Sequence, residues 1–372
     1  AMTFHDRARM LKALAQYLSA RKNELYELSY LTGATKSDSW IDIDGGIGTT
    51  FVFASKGRRE MPDAHVYLDG DVEMLSRRGS FVGQHVCTPL QGVAVHINAF
   101  NFPVWGMLEK LAPTLLAGMP AIVKPATATG YVTEAAFRMI IESGLLPDGA
   151  VQFVSGRLGP LLDRLGPQDA VSFTGSAVTG VMLRGTPNLL ERSVRFSAEQ
   201  DSLNATILGP DVMVGDPEFD LFIKEAAGEI TAKAGQKCTA VRRILVPKVL
   251  RQPVAEALRA ALDDVAIGDP RLKEVGMGAL ASGGQKQDVL AKCEMFKGEA
   301  RCIIGGEAPR LMGEDLAGGA FVAPTIFDCA DPDGATHLHE QEAFGPVACL
   351  MAYRELGHAA VLANRGGGAL VT

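Results

Sequence analysis

Apolar residues near the N-terminus recur at intervals of three, four and seven, which is the spacing of one helix face. These residues are Leu11, Leu14, Leu18, Leu25 and Leu28. With Thr3 as a capping residue and Gly33 as a stop, the pattern predicts a long amphipathic helix over residues 3–31. A second helical stretch is predicted at 37–59. Residues 72–89 mix β-prone and polar positions, which predicts a strand pair or a projecting arm.

After residue 92, short apolar runs alternate with helical stretches. The runs are as dense in apolar residues as strands buried on both faces, and they occupy 93–97, 121–123, 151–154 and 170–173. The helical stretches between them lie at 104–116, 133–143 and 160–165. This alternation predicts a doubly wound α/β domain that binds ligands at the carboxyl ends of its strands. A second α/β unit is predicted after about 204, with helices at 217–232 and 254–263 around a strand at 243–246.

Composition and charge exclude several functional classes. The 372 residues are 47% apolar and 21% charged, which is ordinary for a folded protein of two or three domains. Thirty-six basic against 43 acidic residues give a net charge of −7, so no overall positive field attracts nucleic acid or an anionic membrane. The longest nearly apolar stretch, 111–123, contains Pro113 and Pro120 and is too short to span a membrane.

The six cysteines are scattered without a Cys-x-x-Cys pair, which predicts a reduced, cytoplasmic protein without structural zinc. His337 and His339 lie near two glutamates, but a turn precedes them, so no metal site is predicted. The first residues have no signal-peptide pattern, and the last ones, 366–372, stop inside an apparent strand. The chain is therefore expected to be a fragment.

Two residue positions suggest covalent chemistry. Cys238 follows a helix and the flexible Gly235, so a backbone N–H can point at whatever the sulfur attacks; the alternative is a buried structural cysteine. Glu199 is the last residue of a strand-like run, where a carboxylate can face a cleft. The alternative interpretation is that Glu199 is an ordinary acidic residue of a surface loop.

Two further segments lie where a strand turns into a helix. The Asn101 amide can donate to a developing oxyanion, or it can cap the helix that follows. Gly175 and Ser176 end the run Phe-Thr-Gly-Ser, whose N–H groups and helix dipole suit a phosphate, although a plain turn has the same pattern. The Gly-x-Gly-x-x-Gly fingerprint is absent.

Taken in chain order, these segments closely resemble the aldehyde dehydrogenase superfamily. The resemblance covers essentially the whole chain and rests on motifs at 101–103, 123–125, 173–176, 199, 235–238 and 342–346. More narrowly, residues 42–48, 98–107 and 201–204 resemble the branch that acts on CoA-linked semialdehydes in the degradation of aromatic compounds. The resemblance implies a Rossmann-type cofactor domain and an α/β catalytic domain, both truncated, because relatives extend further at each end.

The resemblance also implies a domain plan and catalytic roles. The cofactor domain would comprise residues 1–71 and 91–204, the oligomerisation arm 72–90, and the incomplete catalytic domain 205–372. Cys238 would be the nucleophile that forms a thiohemiacetal, and Asn101 with the Cys238 N–H would hold the oxyanion. Glu199 would activate the water that hydrolyses the thioester. Lys110 matches a proton-relay position, or it is a solvated helix residue.

The cofactor residues follow from the same resemblance. Lys124 looks like the ligand of the adenosine ribose, Ser176 with Gly175 like the pyrophosphate site, and Glu342 with Phe344 like the residues that hold the nicotinamide ribose and ring. Relatives that prefer NAD commonly carry a glutamate where this chain has Thr127. Because neutral Thr127 does not repel a 2′-phosphate, NADP is predicted to be preferred over NAD, unless Thr127 merely caps the next helix.

The resulting prediction is NAD(P)-dependent oxidation of an aldehyde, CoA-linked by resemblance to the branch, in a cytoplasmic homodimer or higher homo-oligomer. Two alternatives remain. In a CoA-acylating aldehyde dehydrogenase, CoA releases the acyl group, but such enzymes generally lack the glutamate that Glu199 matches. A non-catalytic scaffold of the same fold is disfavoured because Asn101, Glu199 and Cys238 are all present.

Overall fold

The computed structural model describes residues 2–372 and divides into two compact units. The first unit comprises residues 2–28 and Trp40–Gln200, and the second comprises Ser29–Ser39 and Asp201–Thr372. The chain therefore passes through the second unit early, between its first two helices. The division after residue 200 lies close to the predicted end of the cofactor domain at 204, and residues 29–39, predicted to belong to that domain, pack with the second unit. The functional names of the domains stay predictions.

Residues 2–200 form six α-helices and seven β-strands. The helices are α1 (Phe4–Ser29), α2 (Lys36–Arg59), α3 (Trp105–Ala117), α4 (Gly130–Glu142), α5 (Ala177–Arg184) and α6 (Pro187–Glu191). The strands are β1 (Tyr67–Met74), β2 (Val82–Cys87), β3 (Ala94–Ile97), β4 (Ala121–Lys124), β5 (Val151–Phe153), β6 (Ala170–Thr174) and β7 (Arg195–Glu199). Of the leucines of α1 that set the helical spacing, four are buried and Leu28 is partly buried, and they share a core with Leu108 and Leu111 of α3.

A five-stranded parallel sheet in the order β5-β4-β3-β6-β7 forms the centre of the first unit. The chain builds outward from β3 to β5 on one side, then returns to the other side of β3 for β6 and β7. The strand order thus reverses next to β3, and in doubly wound sheets ligands bind at the carboxyl ends of the strands beside such a reversal. Lys124, Thr174 and Glu199 are the last residues of β4, β6 and β7 at this edge.

The segment predicted as a strand pair or arm is an antiparallel hairpin of β1 and β2. Large apolar side chains on it and on its turn are exposed, including Leu68, Val72, Met74 and Phe81. A two-stranded hairpin is only marginally stable alone in water, so the hairpin is stabilised when another surface covers these side chains.

The second unit contains another five-stranded sheet, in the order β11-β13-β14-β9-β8. Its strands are β8 (Asn204–Ile207), β9 (Val241–Pro247), β11 (Arg301–Ile304), β13 (Thr325–Cys329) and β14 (Val347–Tyr353), and the short β10 (Ile267–Gly268) and β12 (Leu311–Met312) pair separately. The helices are α7 (Pro217–Thr231), α8 (Arg251–Asp263), α9 (Gly283–Phe296), α10 (His337–Glu340) and α11 (Leu356–Asn364). All sheet pairs are parallel except β11 with β13.

The predicted α/β alternation is confirmed in the first unit, where the sheet strands begin and end within one residue of the predicted runs. The shorter helical stretch at 160–165 is a 3-10 helix over Gly159–Arg164. No helix among residues 2–372 is long and apolar enough to cross a membrane. The same part of the chain holds no group of three or more His, Cys, Asp or Glu side chains placed to bind a metal ion.

Candidate active site

Cys238 lies in a tight turn between α7 and β9 of the second unit. The turn is reached through three consecutive residues in the left-handed region, Lys233 (φ 51°), Ala234 (φ 51°) and Gly235 (φ 68°). Left-handed conformations cost about 1 to 3 kcal/mol each for residues with a Cβ, so surrounding contacts must maintain them. At Gly235 a side chain is also sterically excluded, because a Cβ there would overlap the main-chain carbonyl of Gly345.

Buried hydrogen bonds hold this strained segment. The Lys233 amide donates to Asp38 Oδ1 at 2.7 Å, and Lys233 Nζ donates to Thr32 Oγ1 at 2.6 Å. Gln236 Nε2 donates to the Lys233 carbonyl at 2.9 Å. Asp38 and Thr32 belong to the early segment Ser29–Ser39, so this excursion of the chain supports the turn that precedes the cysteine.

Asn204 fixes the cysteine residue itself. Its Nδ2 donates to the carbonyl of Cys238 at 2.8 Å and to that of Ala240 at 2.9 Å. Cys238 is partly exposed, whereas Cys293, Cys329 and Cys349 are buried. The alternative of a buried structural cysteine is therefore wrong for Cys238, and a partly exposed thiol on a rigid turn suits a nucleophile.

Glu342 and Phe344, predicted to hold the nicotinamide ribose and ring, lie after α10 and contact Arg242. Glu342 Oε1 accepts from Arg242 Nε at 3.0 Å, and Glu342 Oε2 accepts from the Ser202 amide at 3.1 Å. The guanidinium carbon of Arg242 lies 5.4 Å from the centroid of the Phe344 ring. Burial raises the pKa of Glu342 and lowers that of Arg242, while their mutual attraction opposes both shifts. The carboxylate of Glu342 thus has two partners within the protein, and its binding of the nicotinamide ribose stays a prediction.

In the first unit, Asn101 is buried in the loop between β3 and α3. Hydrogen bonds from Thr129 Oγ1 to the Phe100 carbonyl (2.8 Å) and from Thr133 Oγ1 to the Pro103 carbonyl (3.1 Å) fix the loop on either side. The alternative that Asn101 caps α3 is wrong. The Asp42 carboxylate instead accepts from the Val104 and Trp105 amides, at 3.0 and 2.7 Å.

Lys110 and Glu199 line one cavity of about 340 Å³ in the first unit. Lys110 is only 9% exposed, and its ammonium contacts Glu109 Oε1 at 3.0 Å, so the alternative of a solvated helix lysine is wrong. Glu199 is the last residue of β7 rather than a loop acid, and its carbonyl accepts from the Gly175 amide at 3.1 Å. A lysine ammonium and a carboxylate that border the same solvent-filled cavity can exchange protons with the water in it.

His96 lies on the wall of the same cavity and was missed by sequence reasoning. Its Nε2 is 3.1 Å from Thr114 Oγ1, whereas Nδ1 is buried without a hydrogen-bond partner among residues 2–372. Burial, with a further contribution from the charge of Lys110, lowers the pKa of His96 to about 3. The imidazole is therefore neutral at physiological pH, and the cavity gains a hydrogen-bonding group without gaining charge.

The predicted cofactor residues of the first unit lie at the strand ends beside the reversal of strand order. Lys124 is partly buried, which lowers its pKa, and among residues 2–372 it has no carboxylate within ion-pair distance. Ser176 is exposed and is the N-cap of α5, where its Oγ accepts from the Thr179 amide at 3.4 Å. An unpaired cation and the start of a helix at one edge of the sheet fit a phosphate-bearing dinucleotide.

Two details refine this edge. Thr127 is exposed and begins a 3-10 turn, while the N-cap positions of that turn and of α4 are Ala126 and Thr129. The alternative that Thr127 caps the next helix is therefore wrong. Asn98, one residue beyond β3, has a buried side-chain amide without a partner in the described part of the chain. Buried polar atoms are normally paired, so Asn98 marks a place where a polar ligand or water is needed.

The class of protein follows from the doubly wound sheet, the supported cysteine turn and the agreement with a family model. The model described as "Aldehyde dehydrogenase family" matches residues 1–371. The chain belongs to the aldehyde dehydrogenase family and is an aldehyde oxidoreductase, which confirms the predicted family, fold class and reaction class.

Among curated relatives, the 3,4-dehydroadipyl-CoA semialdehyde dehydrogenase of Aromatoleum evansii is 42% identical over 373 aligned residues, covering 100% of this chain and 72% of the relative. The alpha-ketoglutaric semialdehyde dehydrogenase of Bacillus subtilis is 31% identical over 368 residues, 98% of this chain and 71% of the relative. Among solved structures, betaine aldehyde dehydrogenase of Staphylococcus aureus in complex with NAD+ superimposes with a TM-score of 0.85 at 24% identity, covering 97% of this chain and 69% of that one.

Proposed function

We propose that this protein oxidises a CoA-linked semialdehyde to the corresponding carboxylic acid, with NADP preferred over NAD. The observation that carries the substrate class is the 42% identity, over the full chain, to a relative named for a CoA-linked semialdehyde. Such a substrate suggests a role in the degradation of aromatic compounds, and we propose that the protein acts in the cytoplasm.

The proposed chemistry begins at the cysteine. The Cys238 thiol gives its proton to solvent, and its sulfur forms a bond to the aldehyde carbon while the carbonyl π pair moves onto the oxygen, which becomes an oxyanion. The Asn101 amide and the Cys238 N–H donate hydrogen bonds to that oxygen. A nicotinamide cofactor, held by Glu342 and Phe344, would supply the acceptor for the hydride that leaves this carbon, so that the carbon is oxidised to a thioester. The Glu199 carboxylate then takes a proton from water, whose oxygen adds to the thioester carbon. The carbon–sulfur bond breaks, the acid is released, and the thiolate left on Cys238 regains a proton from solvent.

Lys110 fits a role in carrying that proton away from Glu199. The two side chains border the same cavity, and the Glu109 contact keeps the Lys110 ammonium at its wall. The neutral imidazole of His96 adds a hydrogen-bonding group there. Waters in this space would connect the groups without requiring either side chain to move far.

Lys124, Ser176 and Gly175 would hold the adenosine and pyrophosphate portions of the cofactor, with Glu342 and Phe344 at the nicotinamide end. The support in this structure is the unpaired, desolvated cation of Lys124 at the end of β4 and the helix start at Ser176. Hydrolytic release is favoured over transfer to CoA because Glu199 ends β7 at the cavity wall, where it can activate water.

The substrate proposal is tested by steady-state kinetics with matched aldehydes. Reduced cofactor is followed with a CoA-linked semialdehyde, with the free semialdehyde of the same chain length, and with each aldehyde plus added free CoA. We expect the CoA-linked substrate to give the highest kcat/KM, with a free carboxylic acid as product. A higher kcat/KM for the free aldehyde, or an acyl-CoA formed from free CoA, would contradict the proposal.

Cofactor choice gives a separate prediction at Thr127. Thr127→Glu should lower the kcat/KM ratio of NADP to NAD at least about tenfold, because the new carboxylate repels the 2′-phosphate but can accept from free ribose hydroxyls. Thr127→Gln is the matched control, since it has nearly the same size without the charge. A parent enzyme that prefers NAD, or an unchanged ratio in Thr127→Glu, would refute the proposed preference.

Assembly is predicted from the β1–β2 hairpin. Its exposed apolar side chains suit pairing with another subunit, so we expect a homodimer or a higher homo-oligomer. Light scattering at micromolar concentration measures the mass directly. Replacing exposed Phe81 and Met74 with serine should shift the mass toward the monomer, whereas the same change at exposed Val249 should not. A monomeric parent protein would contradict this prediction.

A further inference from the structure

Arg242 connects two segments that carry proposed active-site residues. From β9, its Nη2 donates to the Gly235 carbonyl at 2.9 Å and to the Lys237 carbonyl at 3.4 Å, both in the segment that leads to Cys238. Its Nη1 donates to the Gly345 carbonyl at 2.9 Å, beyond Glu342 and Phe344. The planar guanidinium can make these bonds together because its donors point in fixed, divergent directions.

The charge on this side chain is almost fully removed from water. The side chains of Arg242 and Glu342 are 4% and 5% exposed, and their nitrogen and oxygen atoms approach to 2.9 Å. Burial of a charge is unfavourable unless partners compensate it, and here one carboxylate and three carbonyl oxygens do so. Because little water surrounds the Arg242 guanidinium to screen its charge, that charge acts strongly on neighbouring groups.

Cys238 is one of those neighbours. Burial lowers the pKa of Arg242, and its interactions with Glu342 first, then with Cys238 and Glu229, oppose that shift. Arg242 Nη2 is hydrogen-bonded to the carbonyl of Lys237, the residue before Cys238. A cation placed beside a cysteine favours its thiolate, whereas Glu342, which neutralises part of the guanidinium charge, weakens that effect.

The adjacent Arg243 shows that this is not a general property of buried arginines on β9. Its guanidinium points away from the cysteine turn and donates to the carbonyls of Leu203, Leu362 and Ala363. Arg243 therefore connects β9 to α11 and to the residue before β8, whereas Arg242 connects the segments that carry Cys238 and Glu342.

We propose that Arg242 is a positioning residue that locks the Cys238 turn to the Glu342–Gly345 segment and supplies the positive charge that favours the thiolate. The proposal rests on the proposed role of Cys238 as the nucleophile. It adds that Glu342 is a counter-charge to Arg242, so that any partner that engages Glu342 also changes the reactivity of the cysteine.

The test is the pH dependence of Cys238 alkylation by iodoacetamide in the absence of substrate and cofactor, read by mass spectrometry of the cysteine peptide. In Arg242→Gln the midpoint should rise by about one pH unit, which leaves about tenfold less thiolate at neutral pH. In Arg242→Lys, which keeps the charge but not the divergent donors, the midpoint should lie between those of the parent and the glutamine variant.

Glu342→Gln provides a test of opposite sign that does not require Arg242 to change. Removing the counter-charge should lower the midpoint and speed alkylation at neutral pH. Arg251→Gln, which breaks a less buried ion pair with Asp328 in the same unit, is the matched control and should leave the midpoint unchanged. Circular dichroism and the melting temperature report whether each variant folds.

A parental midpoint in folded Arg242→Gln, or a rise in Glu342→Gln, would overturn the proposal. Because alkylation does not require turnover, this result is separate from the role of Cys238 in catalysis. Full activity of Cys238→Ala would instead remove the proposed nucleophile, whatever the alkylation profile.

Discussion

Cys238→Ala should lower kcat for aldehyde oxidation by at least about four orders of magnitude, the scale of loss when a covalent nucleophile is removed. Alanine cannot form the thiohemiacetal, and no other cysteine in the second unit offers a substitute on this turn. The turn should persist, because its hydrogen bonds come from main-chain groups and from the side chains of Asn204, Asp38 and Gln236.

The measurement is reduced-cofactor formation under saturating substrate, together with cofactor binding by calorimetry and the melting temperature. Cys87→Ala, on the exposed hairpin, is the control and should keep the parental kcat. Near-parental turnover by Cys238→Ala would show that another group attacks the aldehyde.

Glu199→Gln should separate the two halves of the reaction. Thioester formation does not need the carboxylate, whereas hydrolysis does, so rapid mixing should show a burst of about one reduced cofactor per site. The steady-state rate that follows should be lower than that of the parent by about 10²- to 10⁴-fold, the usual contribution of a positioned general base. Glutamine keeps the size and place of the side chain at the end of β7.

Glu191→Gln is the matched control, since Glu191 is exposed at the end of α6 in the same unit. It should leave both phases unchanged. A Glu199→Gln trace that is slowed uniformly and shows no burst would indicate that Glu199 acts before hydride transfer rather than in hydrolysis.

The first unit could be predicted well from the sequence because its elements have strong local signals. Buried parallel strands are short and apolar, and helix α3, predicted at 104–116, is found at Trp105–Ala117. The second unit was predicted less completely after residue 263. Helix α9 begins with two glycines and carries polar residues on most of its surface, so its sequence has no clear apolar face.

Residues that act through distant contacts could not be predicted from local pattern. Arg242 and Arg243 are adjacent and chemically identical, yet only Arg242 reaches Glu342, which lies 100 positions later. Asp42 lies within a motif of the resemblance, but its role as the cap of α3 depends on a contact across 62 positions. Local reasoning instead offered Asn101 as the cap, because it assigns caps to the nearest polar residue.

The excursion of residues 29–39 into the second unit constrains the order of events during synthesis. Asp38 leaves the ribosome 195 residues before Lys233, from whose backbone amide its carboxylate accepts a hydrogen bond in the folded protein. At about 5 to 20 residues per second, that interval is roughly 10 to 40 seconds. During this interval Asp38 and Thr32 lack Lys233, their hydrogen-bond partner in the folded protein. The left-handed turn before Cys238 can acquire these supporting hydrogen bonds only after that wait, so the Cys238 turn cannot become organised until the chain has been made at least as far as Lys233.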